Sequence, residues 1–410
     1  MTSPLISFDE NLLCELAVRD PYEYFRPLRD NDPVHWNPRH RAWIVTPHAE
    51  LSSSLRSQHL TAERITPFTK AISRASDSDD VDATFSILKD WVVFRDPPEH
   101  TRLRKLVSRA FAPTIVRRRS EEITATIKTL IGRLERGSVV DLIQEFAYPL
   151  PAIVIAEMLG APPEDRDLFK GWSDKLTALV FGAYDQQDRF HSAAAGMLEL
   201  RDYLLGLINQ YEREPGDNLI SLLLEHEDDD ALSRDELVST CTLLLFGGHE
   251  TTTNLIGNGT LALLSNPEQF RLLQSSPDLI TSAIEEFVRF DGPARATVRL
   301  VKEEHQLGDK TLRPGQRVFL INPAANRDPL AFDEPDRLDI TRNPTNHLGF
   351  GVGVHYCLGA PLARLEGQLA MSMLAQTFPG LELAVPRDQL EWHSTMLSRG
   401  LKSLPVRLGQ

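Results

Sequence analysis

Ser233 followed by Glu236 three residues on is a capping-box start, and an apolar helical pattern then runs on to Leu264, just ahead of Asn266-Pro267. Roughly 30 residues at about 1.5 Å each span on the order of 45 Å, enough to cross a whole domain. The middle of this helix reads Phe246-Gly247-Gly248-His249-Glu250-Thr251-Thr252. Two glycines cost about 1 kcal/mol each in a helix interior, and here they sit beside a carboxylate and hydroxyls in an otherwise apolar stretch. Something must lie against that spot.

The rest of the chain is ordinary globular material. Its 410 residues are 41% hydrophobic and 25% charged, which excludes disorder and collagen-like repeats. A net charge of −14 argues against general nucleic-acid binding. Asp9, Glu10 and Glu15 interrupt the short apolar stretches at the N-terminus, so neither a signal peptide nor a membrane anchor is expected, and the predicted location is the cytoplasm. Cys14, Cys241 and Cys357 are odd in number and in no C-x-x-C spacing, which excludes a disulfide framework and a structural zinc site. A hairpin is predicted at Val34–Trp36 and Ala42–Thr46, with Asn37-Pro38 in its turn. From Glu99 to Leu264 the spacing is mostly helical, with APPED (161–165) and EHEDDD (225–230) as solvated loops. A strand around Arg317–Ile321 and a last helix from about Gly359 to Phe378 follow.

Cys357 sits between a glycine-rich run and the start of that last helix. A helix N-terminus stabilises a thiolate through its dipole and unpaired N–H groups, and Gly351, Gly353 and Gly359 let the backbone pass close to a flat ligand. A turn holding a buried cysteine would explain Cys357 alone, but not the glycine spacing. The run Phe350, Gly351, Gly353, His355, Cys357, Gly359 resembles the haem-ligand loop of the cytochrome P450 family. Glu286 and Arg289 resemble the family's E-x-x-R, and Arg337 resembles the arginine that completes its ion-pair network. That trio reads as structural, a carboxylate satisfied by two guanidiniums.

The resemblance runs from about residue 21 to 407. It implies a mainly α fold with a minor β region, the cytochrome P450 fold, as one domain over 1–410. It further implies haem b with Cys357 as the metal ligand. His100 and Arg104, four apart on one helix face, together with Arg299 and His355, match the propionate partners. Phe350, Gly351 and Gly247 complete the expected haem contacts. Thiolate ligation favours O–O bond cleavage, and the family places a proton relay for O2 where Glu250 and Thr251 stand here. His249-Glu250 is no zinc-peptidase fragment, because position 253 is Thr253 and not a second histidine.

The implied reaction is insertion of one oxygen atom from O2 into a mid-sized, mostly hydrophobic substrate. A peroxide-driven peroxygenase and a haem-thiolate sensor are the alternatives, and Glu250 with Thr251 weighs against both. No flavin or iron-sulfur motif is present, so electrons would come from NAD(P)H through an iron-sulfur ferredoxin or a flavodoxin with its reductase. Arg102, Lys105, Arg109 and Arg117-Arg118-Arg119 make a basic region where an acidic partner could dock; a solvated helix face explains them as well. No membrane partner is implied, and a monomer is expected. The family analogy lines the substrate pocket with the region around Phe68 and Phe85, with Leu243 and Phe246, with Ala294–Thr297 and with Thr395–Leu397, including Met396. Arg295 is the polar exception there, expected to anchor an acidic substrate group or else to turn away and pair with the protein.

Overall fold

In the computed structural model, residues 8, 9, 11–67, 69, 79–181, 189–225 and 231–409 are described. The axis of the fold is the helix Arg234–Ser265, 32 residues long, and its N-terminus carries the expected capping box. Ser233 Oγ accepts from the Glu236 N–H at 3.2 Å, and Glu236 Oε2 accepts from the Ser233 N–H at 2.8 Å. Most of the helix is buried on every side, as expected of a helix in the middle of a large core. The helices Pro149–Leu159, Arg189–Arg213, Ile280–Asp291 and Ala360–Thr377 pack around it.

The minor β region among the described residues is a five-stranded sheet, a smaller three-stranded sheet and a two-stranded one. Val34–Asn37 and Ala42–Val45 form the predicted hairpin, with Val34 opposite Val45. Ala42–Val45 then pairs in parallel with Arg317–Ile321, which pairs antiparallel with Ala296–Val301, and Leu60–Thr61 closes the far edge. Apolar side chains of the sheet and of the helix Pro21–Asn31 share a second core of Tyr24, Phe25, Ile44 and Phe319. No helix among the described residues is long and apolar enough to cross a membrane.

A buried ion-pair network ties the helix Ile280–Asp291 to the segment that precedes the cysteine loop. Arg289 donates to both oxygens of Glu286 at 2.7 Å, and both side chains are fully buried. The second guanidinium on Glu286 belongs to Arg342, whose Nε lies 3.4 Å from Oε1. Arg337 does not fill that role: its side chain is 57% exposed and pairs with Glu334 and Asp339, and it gives the network only its carbonyl. The chain turns at Asp339–Thr341, which brings the later arginine back over Glu286. The acidic run beginning at Glu225 lies outside the described residues from 226 to 230.

Candidate functional site

The sequence around Cys357 folds into a tight loop because two glycines adopt conformations other residues avoid. Gly351 has φ +68° and Gly353 φ +77°, a region costly for residues with a Cβ. The loop closes with the Cys357 N–H donating to the Phe350 carbonyl at 2.8 Å and the Gly351 N–H to Leu348 at 2.9 Å. Cys357 then leads into the helix Ala360–Thr377. The thiol is accessible from a cavity but backed by protein. Burial pushes the thiol up, against N–H groups of Gly359 and Ala360 and the guanidiniums of Arg104 and Arg364, which pull it down.

That cavity, of about 330 Å³, brings together most of the expected site. Cys357, Phe350, Gly351, His100, Arg104, Arg299, His355, Gly247 and Thr251 all reach its wall, and Leu243 reaches it from the central helix. His100 and His355 lie ring against ring, with centroids 4.3 Å apart. Burial, Arg299 and His100 hold His355 down at about 3, so it is uncharged near neutral pH. Burial and Arg104 also lower His100. Arg299 is lowered to about 10, chiefly by burial, and remains a cation; its guanidinium donates to the Val298 carbonyl at 3.0 Å. Arg104 donates to the Tyr356 carbonyl.

The two glycines of the central helix do different work. A Cβ at Gly247 would meet only Leu243 Cδ1, at 3.8 Å, so this position is open to the cavity. A Cβ at Gly248 would come within 3.2 Å of Ile155, so Gly248 seats the neighbouring helix. Thr251 Oγ1 donates to the Gly247 carbonyl at 3.0 Å and still faces the cavity. Glu250 stands behind the wall, where its Oε1 accepts from Asn254 Nδ2 at 3.3 Å. Burial raises its carboxyl, the Asn254 bond lowers it, and Asp174 raises it further, for a net rise. His249 points away, into a buried contact with the Tyr148 ring at 5.2 Å.

A second cavity of about 250 Å³ adjoins the first and shares Leu243, Gly247, Thr251, Ala294, Thr297 and Arg299 with it. Leu243 and Phe246 line it as expected. Four expected substrate contacts do not; one of them, Thr395, is buried and donates its hydroxyl to the Ser398 carbonyl at 2.9 Å. Arg295 is corrected to a structural residue: side chains on an extended chain alternate, and while Ala294 and Ala296 face the cavity, Arg295 points away and donates to the carbonyls of Thr395, Leu12 and Ala17 at 2.7–2.9 Å. Met396 turns into the core with Tyr24 and Phe25, leaving Leu397 and Ser398 at the wall. Phe85 is buried in the main core, 6.5 Å from the Phe190 ring. Phe68 lies outside the described residues.

Sequence reasoning missed the support beneath the loop. Arg364 donates to both oxygens of Glu285 at 2.6 and 2.8 Å, His347 Nε2 lies 3.0 Å from the same carboxylate, and Arg364 also donates to the Tyr356 hydroxyl at 2.9 Å. Burial alone would raise Glu285, but bonds from Arg364 and His347 outweigh it and hold the carboxyl at about 2. Glu285 is adjacent to the E-x-x-R glutamate and carries no spacing signal of its own. The aromatic wall of Trp91, Phe94 and Phe181 was equally silent in sequence.

A family model for cytochrome P450 matches residues 69–404. The chain belongs to the cytochrome P450 family. It is 42% identical over 373 residues to cytochrome P450 107B1 of Saccharopolyspora erythraea, covering 90% of this chain and 89% of that one. It is 40% identical over 396 residues to a vitamin D(3) 25-hydroxylase of Pseudonocardia autotrophica, covering 95% and 94%. Among solved structures, that of CalO2 superposes with a TM-score of 0.91 at 32% identity, covering 97% of this chain and 98% of that one. This P450 is therefore a monooxygenase, an oxidoreductase with the mainly α P450 fold, and membership of the family implies haem b.

The residues of this P450 fit that group. His100 is 2% exposed, yet neither ring nitrogen has a hydrogen-bond partner among the described residues, and buried polar groups are rarely left so. Among the described residues the cavity wall carries guanidiniums and imidazoles but no carboxylate, which suits an anionic guest. Among the described residues no group of three or more His, Cys, Asp or Glu could hold a metal alone, so Cys357 would give one ligand to a metal that arrives in its own macrocycle.

Proposed function

We propose that Cys357 ligates haem iron, that His100, Arg104, Arg299 and His355 hold the haem propionates, and that the enzyme inserts one atom of O2 into a mid-sized, mostly hydrophobic substrate. One observation carries the reading: Cys357, Thr251 and His100, whose two ring nitrogens have no hydrogen-bond partner among the described residues, line one cavity. Bound haem supplies oxygen activation, with thiolate ligation favouring O–O cleavage.

The protein's own part is binding, orientation and protons. His100 and Arg104 donate from one helix face, and Arg299 and His355 donate from opposite elements, so carboxylates are gripped from more than one side. Thr251 can pass a proton across the cavity wall, since a hydroxyl both donates and accepts. Glu250, whose carboxyl burial pushes up, stands behind it as the proton reservoir. Phe246, Leu243, Phe181 and Trp91 exclude water from the adjoining chamber and supply apolar contact for substrate.

Electrons reach the site from NAD(P)H through an external ferredoxin or flavodoxin and its reductase. The docking face is the cysteine side, where the helix Pro113–Arg118 packs on the helix that follows Cys357. Lys105, Arg109, Arg117 and Arg118 are exposed, as are Val354 and Tyr356 of the loop. Arg102 pairs with Glu236 and Arg119 with Glu122, so those two contribute less to steering an acidic partner. The test is product formation from a panel of hydrophobic substrates with NAD(P)H, ferredoxin and reductase, compared with peroxide alone. Turnover with the electron chain supports the monooxygenase reading; turnover with peroxide only would make the protein a peroxygenase, and none with either would favour a sensor.

A further inference from the structure

We propose that the second chamber selects planar aromatic substrates of two or three fused rings, seated against the Phe181 end of a row of aromatic side chains; this rests on the reading of the site as a haem monooxygenase pocket. Phe94, Trp91, Phe246 and Phe181 all line that chamber, and the same chamber reaches Thr251. The four rings form a continuous row. Between centroids Phe94 lies 5.9 Å from Trp91, Trp91 5.7 Å from Phe246 and Phe246 5.1 Å from Phe181, with planes 6°, 31° and 35° apart in that order.

In the closed core Tyr24 meets Phe25 at 86° and Phe169 meets Tyr203 at 90°. Edge-to-face pairs of that kind satisfy one another, whereas a row of tilted-parallel planes can be extended by one more plane laid offset against its end. The ends of the row are its open parts. Phe181 is half-buried and Phe94 is 6% exposed, while the middle members Trp91 and Phe246 are 1% and 2% exposed. The row is also fixed before a ligand arrives. Trp91 Nε1 donates to Thr242 Oγ1 at 3.0 Å within the core, and the Phe181 carbonyl accepts from the N–H groups of Met396 at 3.0 Å and Leu397 at 3.3 Å. Rings set in advance spare the ordering cost of binding. Ala62, Gly247, Ala294 and Ala296 belong to the same wall, and such small residues leave width for a ring system beside the row. A cavity of about 150 Å³ takes one benzene, so this chamber of about 250 Å³ suits two or three fused rings.

The test uses haem-loaded protein and calorimetric titration of a matched pair, naphthylmethanol and its fully saturated decahydro counterpart, each affinity corrected for the probe's own transfer from water to cyclohexane. Wild type is expected to favour the arene about 2- to 10-fold, the scale of one aromatic pair beyond its buried area. Phe181→Leu keeps apolar bulk but removes the ring, and should erase most of that preference while leaving the saturated probe within about twofold. Phe181→Met, a second ringless replacement, should behave in the same way, and Phe181→Tyr should keep the preference. No preference for the arene in wild type, no binding of either probe, a preference that survives in both ringless variants, or equal losses for the two probes would overturn the assignment. The carbon monoxide spectrum of the same samples separates the two failures. A protein without a thiolate spectrum would contradict the haem reading, whereas one with it and no arene preference contradicts the aromatic seat alone.

Discussion

His100 and His355 face each other at 4.3 Å between ring centroids, and burial pushes both toward the uncharged form. They can therefore lie together without repulsion beside the cations Arg104 and Arg299, which a pair of imidazoliums could not. The arrangement leaves His100 with two buried nitrogens that find no hydrogen-bond partner among the described residues.

An unsatisfied buried polar group costs about 1–3 kcal/mol, so in the protein without haem His100 is a liability and with haem an asset. His100→Phe should raise the melting temperature of the haem-free protein and accelerate haem loss to a scavenger protein. Loss of apoprotein stability together with unchanged haem retention would mean that His100 holds the fold and not the cofactor.

The Glu286 network sorts three arginines by burial. Arg289→Ala strands a buried carboxylate and should cost about 3–5 kcal/mol of stability. Arg342→Ala removes the second guanidinium and should cost less, and Arg337→Ala, at an exposed position, should stay within about 0.5 kcal/mol. Urea denaturation of the three variants gives the order; a loss at Arg337 matching that at Arg289 would contradict it.

Glu285 predicts a pH dependence whose sign follows from its depressed pKa. Its stabilising contribution is complete above the ordinary carboxylate value of 4.5 and is lost as pH falls toward about 2. The full amount is at most about 3 kcal/mol at 1.36 kcal/mol per pKa unit. Glu285→Gln should lower stability at pH 7 and flatten the acid limb of the stability curve. An unchanged acid limb would show that Arg364 and His347 do not hold the loop through this carboxylate.

Thr251→Ala keeps the cavity and removes its hydroxyl. Substrate binding should persist while reducing equivalents are diverted to peroxide, with product formation down by about 100-fold or more. Measuring product and peroxide per NAD(P)H consumed decides this, and unchanged coupling would take Thr251 out of the proton path.

What the sequence made legible was local. The capping box at Ser233 and Glu236 and the apolar run behind it fixed the central helix to within a residue at either end. The cysteine loop was equally readable, because Phe350, Gly351, Gly353 and Cys357 lie within one short turn and strained glycines leave a clear mark. The substrate wall was not. Which of Arg295, Leu397 and Met396 faces the cavity depends on contacts with Leu12, Ala17 and Phe181, far away in sequence. Arg342 replaced Arg337 for the same reason, since a turn at Asp339 decides which guanidinium reaches Glu286.

The most direct test of the account is the spectrum of the dithionite-reduced protein under carbon monoxide, in wild type and in Cys357→His. Cys241 is an unsuitable substitute ligand, since burial pushes its thiol up to about 12. Wild type should absorb at the position typical of thiolate-ligated haem, and Cys357→His should lose that band. Retention of the band in the variant, or its absence from haem-loaded wild type, would contradict the assignment of Cys357 as the ligand.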